Sequence, residues 1–110
     1  MQARSGIMSI TGDSEGGPAK VGVAWIDVMT GMNAVSSILA ALYHREKTGK
    51  GARIDISLWD TALAALVNQG HNALAGITPG RMGSAHPNLV PYKAFEAKDC
   101  LLYTSDAADE

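Results

Sequence analysis

The feature that most restricts the fold of this chain is a run of sixteen residues without a formal charge, Val28–Tyr43. Apolar side chains recur within it at spacings of three and four residues, which is the period of a helix with an apolar face. Gly49 and Gly51 follow, and glycine just after the last apolar residue is a typical helix end. The pattern therefore predicts a buried helix from about Val28 to Glu46.

One carboxylate, Asp27, stands directly before this run and directly after the apolar stretch Val21–Ile26. We expect Asp27 to be the N-cap of the helix, because an Asp oxygen can accept hydrogen bonds from the free amides of a first turn. The helix dipole favours a negative charge there by about 0.3–1 kcal/mol. A poorly hydrated carboxylate can also act as a nucleophile towards an activated acyl group. The residues alone leave the structural and the nucleophilic hypotheses both open.

Two further elements are predicted downstream of this helix. Residues 52–58 alternate polar and apolar side chains, as a half-buried strand does. A second helix is predicted from Thr61 to about Ala75, with Asp60 as its structural N-cap. Leu58 ends the predicted strand, and we expect it to line a substrate pocket.

The remaining segments have the composition of loops. Residues 1–20 and 76–92 are rich in glycine and proline. Residues 92–97 are predicted to form an edge strand at the start of a new unit. His86 lies within the 76–92 loop segment, and we interpret it as a structural residue. The three histidines share no spacing typical of metal ligands, so no metal site is predicted.

Composition limits the class of protein. The chain is 46% hydrophobic and 18% charged, which favours one small globular domain over disorder. With a formal charge of −2, the chain lacks the excess of basic residues that is typical of a nucleic-acid-binding protein. The uncharged run is shorter than the roughly 18 apolar residues of a membrane span, and polar residues interrupt it. We therefore expect neither a nucleic acid nor a membrane as partner.

Three segments in one colinear order carry a resemblance to a known family. They are G-I-M-S-I-T-G at residues 6–12, V-G-V-A-W-I-D-V-M-T-G from Val21 with its continuation to Asp60, and H-P-N-L-V-P-Y-K-A-F at residues 86–95. Together they resemble the class III CoA-transferases, the CaiB/BaiF family. The resemblance covers the chain from about Gln2 to Asp99. It implies that Asp27, in the family's D-x-x-T-G segment, is the catalytic carboxylate.

The resemblance also implies a fold and a chemistry. The fold class would be α/β: a fragment of a Rossmann-like large domain, with a helix–strand–helix core and flanking loops. The reaction would move coenzyme A from an acyl-CoA to a carboxylic acid, with CoA as substrate and no permanently bound cofactor. Gly31 would let a ligand approach Asp27 closely. The full-length parent would be an interlocked homodimer in the cytoplasm, or in the mitochondrial matrix of a eukaryote.

The domain boundaries follow from the same resemblance. Residues 1–92 would be part of the large domain, and residues 93–99 would begin the linker to the smaller domain. Residues 100–110 resemble the conceptual translation of a sequencing-library adaptor, and a natural acidic tail is the alternative. Setting them aside removes the only cysteine, Cys100, so no thiol nucleophile is expected. The family's CoA-binding segments would lie mostly before Met1, and we expect the 110-residue chain to be inactive alone.

Two other functions remain open at this stage. One is an α-methylacyl-CoA racemase of the same superfamily, in which the corresponding Asp moves a proton together with a histidine. The racemase branch tends to have glycines after its Asp, whereas Val28 and Met29 follow Asp27 here. The other is a non-catalytic helical interaction module or an inert fragment.

Three basic residues cluster near the C-terminal end of the predicted helix: Arg45, Lys47 and Lys50. In an enzyme they would face the phosphates of CoA; otherwise they would form a solvated helix end.

Overall fold

The computed structural model describes residues 1–96 and 98–103. A short 3₁₀ turn, Ile7–Ile10, comes first. Three helices follow it: α1 (Trp25–Thr48), α2 (Leu58–Ala64) and α3 (Val67–Leu74). The last elements are the strands β1 (Ala94–Glu96) and β2 (Leu101–Tyr103), which pair antiparallel. The described part is mostly helical, and this hairpin is its only sheet, so the expected Rossmann-like sheet is not seen there.

The long helix is confirmed, but it begins three residues earlier than predicted. The residue before its first turn is Ala24, whose carbonyl accepts the amides of Asp27 and Val28 at 3.1 and 3.2 Å. Asp27 is therefore the third residue of α1, and the prediction that it is the N-cap is wrong. The helix ends at Thr48, two residues after the predicted end, and the predicted glycine stop is confirmed: Gly49 has φ 69° and donates its N–H to the carbonyl of Arg45 at 2.7 Å.

The helix begins earlier than predicted because residues of its first turn are packed into the hydrophobic core. Ile7, Ile26 and Ala62 are the buried hydrophobic residues of the described part, and Ile26 is only 1% exposed. Trp25 packs against this cluster from one side. Burying Ile26 contributes about 1.5–3 kcal/mol, and this gain favours a helix that includes residues 25–26.

The prediction that α1 is a buried helix is wrong for the described chain. Ile26 is its one buried residue. The apolar side chains further along are exposed because no described element covers them; Leu39, for example, is 61% exposed. By length and composition, α1 is also apolar enough to cross a bilayer, a test that core helices of soluble proteins pass as well.

The strand predicted over residues 52–58 is not formed. Residues 51–56 are irregular and make no backbone–backbone hydrogen bond in the described part of the chain. Ser57 is extended, with φ −117° and ψ 143°, so the local conformation suits a strand. A strand also needs a neighbour to bond to, and the described residues supply none here.

The second predicted helix is two helices. Ser57, not Asp60, is the N-cap of α2: its hydroxyl oxygen accepts the amide of Asp60 at 2.9 Å and donates to the Asp60 carboxylate at 2.7 Å. This Ser-x-x-Asp arrangement resembles a capping box, which explains why α2 starts at Leu58. The chain leaves regular helical geometry at Val67, where φ is 46°.

The C-terminal hairpin confirms a strand inside the predicted 92–97 segment. In its register Phe95 lies opposite Leu102. The strand β2 falls within residues 100–110, the segment set aside on sequence grounds as an adaptor. Ala97 and residues 104–110 lie outside the described residues, so the proposed boundary between native chain and tail remains a prediction.

Candidate functional site

Asp27 projects away from the small core. Ile26 is buried and fixes the rotation of the first turn of α1, so the next residue points to a different side of the helix. Asp27 is exposed, and its carboxylate makes no hydrogen bond or ion pair in the described part of the chain. This carboxylate is therefore available to a ligand.

Amide donors lie in the same helical turn as Asp27. The first turn of a helix leaves backbone N–H groups without an acceptor. In α1 the amides of Trp25 and Ile26 make no hydrogen bond among the described residues, whereas those of Asp27 and Val28 bond to Ala24. Free amides next to a nucleophile are the groups that stabilise an oxyanion. The first turn of α1 thus brings a carboxylate and a positive dipole end together.

Gly31 lies one helical turn after Asp27, on the same side of α1. A Cβ built at Gly31 would have no heavy atom within 4 Å. The surface beside Asp27 is therefore open. That Gly31 leaves room for a ligand stays a prediction, and no described residue closes over this surface.

Leu58 is the first residue of α2 rather than the end of a strand, and it is 36% exposed. The best-formed clefts among the described residues have volumes of about 200–500 Å³, and none of them is lined by Asp27, Gly31 or Leu58. The structure therefore does not bring the three predicted site residues together around any of these clefts.

A polar cleft between α1 and the α2 region was not predicted. Its volume is about 380 Å³, and Asn33, Ser36 and Ser37 line it from α1. The Asn33 amide donates to the buried Thr61 hydroxyl at 3.2 Å and ties the two helices together. The signal in the sequence was the polar triplet at positions i, i+3 and i+4 inside the uncharged run.

His86 organises its own loop. Its Nδ1 accepts the amide of Asn88 at 3.0 Å, its backbone N–H donates to the carbonyl of Tyr92 at 3.0 Å, and the His86 and Tyr92 rings are 5.1 Å apart. These contacts support a structural role. Among the described residues, no three His, Cys, Asp or Glu side chains cluster as metal ligands would. The basic residues at the end of α1 are exposed.

Similar proteins give this geometry a context. A model of CoA-transferase family III matches residues 1–110. A succinate–glutarate CoA-transferase from Agrobacterium fabrum is 47% identical over 103 residues, which are 93% of this chain and 26% of the relative. The human succinyl-CoA:glutarate CoA-transferase is 44% identical over 98 residues, which are 88% of this chain and 22% of the relative.

A solved structure shows the same fold. A CaiB/BaiF family protein from Brucella suis superposes with a TM-score of 0.78 at 44% sequence identity, covering 91% of this chain and 27% of that protein. The chain thus spans about a quarter of the length of the relatives it matches. With a family model matched from the first residue to the last, the chain belongs to CoA-transferase family III.

Proposed function

We propose that this chain is the nucleophile-bearing part of an enzyme that transfers coenzyme A from an acyl-CoA to a carboxylic acid. The observation that carries the proposal is the Asp27 carboxylate, exposed and unpaired in the first turn of α1 beside two free amides. Family membership supports it, as do relatives named for the transfer of CoA between carboxylic acids.

The proposed reaction has four acyl transfers. The Asp27 carboxylate attacks the carbonyl carbon of the donor thioester, giving a mixed anhydride and releasing CoA as its thiolate. The thiolate attacks the Asp27 carbonyl of the anhydride, forming an aspartyl-CoA thioester and releasing the donor acid. The acceptor carboxylate then attacks that thioester, and the returning thiolate takes the acceptor acyl group and frees Asp27. Each step exchanges one activated acyl bond for another.

The residues of α1 would lower the barriers by electrostatics. Each attack places negative charge on a carbonyl oxygen, and preorganised N–H donors stabilise that charge. The amides of Trp25 and Ile26 are candidates for this role because the described residues offer them no acceptor. We propose that Gly31 admits the acyl chain and that Leu58 contributes an apolar wall once the remainder of the site is assembled.

The setting of the enzyme is part of the proposal. The large domain would be Rossmann-like, with residues 52–58 as one of its strands, and residues from 93 onward would lead to a smaller domain. The enzyme would act as a homodimer in the cytoplasm or in a mitochondrial matrix. Relatives about four times the length of the chain support an assembly larger than the 110 residues.

A graft tests the role of Asp27. Residues 1–99 replace the corresponding segment of the Agrobacterium relative, giving what we call the grafted enzyme, and CoA transfer between succinate and glutarate is measured. We expect the unmodified graft to be active. Asp27→Asn should lower kcat by roughly 10⁴-fold or more, a size typical of losing a nucleophile. Hydroxylamine added during turnover should label the peptide containing residue 27 in the active graft alone.

Asp60→Asn is the matched control, because Asp60 is also the third residue of its helix and its contacts serve the α2 cap. It should keep activity within a few fold. A folded Asp27→Asn graft that retains transfer would refute the proposal. Exchange of the proton next to the thioester with solvent deuterium, without acyl transfer, would instead favour the racemase function.

A further inference from the structure

The side chain of Gln2 is hydrogen-bonded to the segment that leads into α1. Its Oε1 accepts the N–H of Val21 at 2.8 Å, and its Nε2 donates to the carbonyl of Val23 at 3.3 Å. One side-chain amide therefore holds two backbone groups that are 19 and 21 residues away, on either side of Gly22. We call this pair of hydrogen bonds the Gln2 clamp.

Gln2 is itself fixed on the segment that carries part of the core. Its carbonyl accepts the hydroxyl of Ser5 at 3.2 Å and the N–H of Met8 at 3.5 Å. Ser5 is buried, and Ile7 belongs to the same core cluster as Ile26. The Gln2 clamp thus extends from a backbone that is anchored to the core.

The start of α1 depends on contacts with other parts of the chain. Its N-cap is Ala24, which makes no side-chain capping bond. A Cβ built at Gly22 would meet nothing within 4 Å, so no packing restricts the backbone there, and glycine has more conformational freedom than any other residue. The direction of the first turn is therefore set from elsewhere in the chain, by the packing of Ile26 and by the Gln2 clamp.

We propose that Gln2 is a positioning residue for the Asp27 nucleophile, a role that rests on the proposed function. The clamp ends at Val23, one residue before the N-cap and four before Asp27. By fixing this segment, it holds the Asp27 carboxylate and the free amides of Trp25 and Ile26 in one orientation. A nucleophile must lie within about 3–3.5 Å of the carbon it attacks, and a displacement of about 1 Å can cost roughly 10²-fold in rate.

Lys20 also bonds to this segment, but it cannot do the work of Gln2. Its ammonium group donates to the carbonyls of Val21 and Gly22 at 3.2 and 3.4 Å, one and two residues away. Contacts this local move together with the segment, whereas the Gln2 clamp ties the segment to a separate part of the chain. An ammonium group also has no acceptor for the N–H of Val21. The position of the first turn therefore depends on Gln2.

Kinetics of the grafted enzyme test the proposal. Gln2→Met keeps the length of the side chain and removes both hydrogen bonds of the clamp. We expect kcat to fall roughly 10–100-fold, because the nucleophile loses its alignment. The KM for the acyl-CoA donor should stay within about threefold, because no substrate contact is lost. Gln2→Glu keeps an acceptor for the N–H of Val21, and it should hold kcat within about fivefold of the unmodified graft.

Asn33→Ala is the matched control, because Asn33 also makes a long-range side-chain hydrogen bond that holds α1, to the Thr61 hydroxyl at 3.2 Å. It should lower the midpoint of thermal unfolding, as Gln2→Met does, while kcat stays within about twofold. Equal losses of kcat in the two variants, or an unchanged kcat in Gln2→Met, would overturn the proposal. If Asp27→Asn abolishes transfer in the same assay, either result counts against Gln2 alone and leaves the role of Asp27 intact.

The 110-residue chain provides a readout that needs no activity. After Trp59→Phe, Trp25 is its only tryptophan, and it lies between the Gln2 clamp and Asp27, packed against the core. Gln2→Met should raise acrylamide quenching of Trp25 fluorescence roughly two- to threefold, because the first turn loses its outside contact. Asn33→Ala should leave the quenching unchanged. Unchanged quenching in Gln2→Met would overturn the proposal, whether or not the corresponding graft folds.

Discussion

Asp27 and Asp60 occupy the same place in two helices yet have different surroundings. Each is the third residue of its helix, where the dipole favours a negative charge. The Ser57 hydroxyl, from the N-cap of α2, donates to the Asp60 carboxylate, whereas the N-cap of α1 is Ala24, whose side chain can neither donate nor accept a hydrogen bond. The lack of a capping partner, more than the position in the helix, is what leaves the Asp27 carboxylate unpaired among the described residues.

Gly31→Ala separates stability from function at the residue scale. Alanine is favoured over glycine in a helix by about 1 kcal/mol, and the added methyl meets nothing within 4 Å. We expect the grafted enzyme to keep or gain thermal stability while its kcat/KM falls roughly 10–100-fold, because the methyl displaces a substrate beside Asp27. Equal or higher activity with normal stability would show that Gly31 does not border the substrate.

At the scale of elements, features that depend on sequence neighbours alone were predictable. The body of α1 and its glycine end follow from apolar spacing and from Gly49. The start of α1 was missed because the burial of Ile26 against Ile7 and Ala62 extends the helix, and those contacts are distant in sequence. The cap of α2 was assigned to Asp60 although the signal for Ser57, a Ser-x-x-Asp spacing, was present.

Two glycines near the end of α1, Gly49 and Gly51, form a matched pair for substitution by alanine. A Cβ at Gly49 or at Gly51 would meet nothing within 4 Å, but only Gly49 has a positive φ, of 69°. Gly49→Ala should therefore destabilise α1 by about 1–2 kcal/mol, since a left-handed residue with a Cβ is strained. Gly51→Ala should be neutral or stabilise by about 0.4–1 kcal/mol. Thermal unfolding of the chain, followed by far-UV circular dichroism, measures both, and equal effects would contradict the assigned helix end.

At the scale of the whole molecule, the sequence indicated the family. It could not indicate how small a part of the site lies within these 110 residues. Asp27 was chosen as the catalytic residue through the segment around it, and that role stays a prediction; the structure shows that the residue is exposed and that the amides of Trp25 and Ile26 have no acceptor among the described residues. The walls of a substrate pocket depend on elements far away in the chain. Leu58 and Gly31 were chosen for such a pocket, and the described residues assemble none around them.

The small core limits both stability and activity of the isolated chain. With Ile7, Ile26 and Ala62 as the buried hydrophobics of the described part, little apolar area opposes the conformational entropy of the helices. We expect broad thermal unfolding, with amide exchange slowest near Ile26 and Ala62 and faster towards residue 48. CoA transfer by the chain alone should be undetectable, because no residue of the described part encloses a substrate at Asp27. The grafted enzyme, assayed in parallel, should unfold cooperatively and turn over. If the isolated chain shows measurable CoA transfer and Asp27→Asn abolishes it, the first turn of α1 needs no enclosing pocket for activity, which would contradict this expectation.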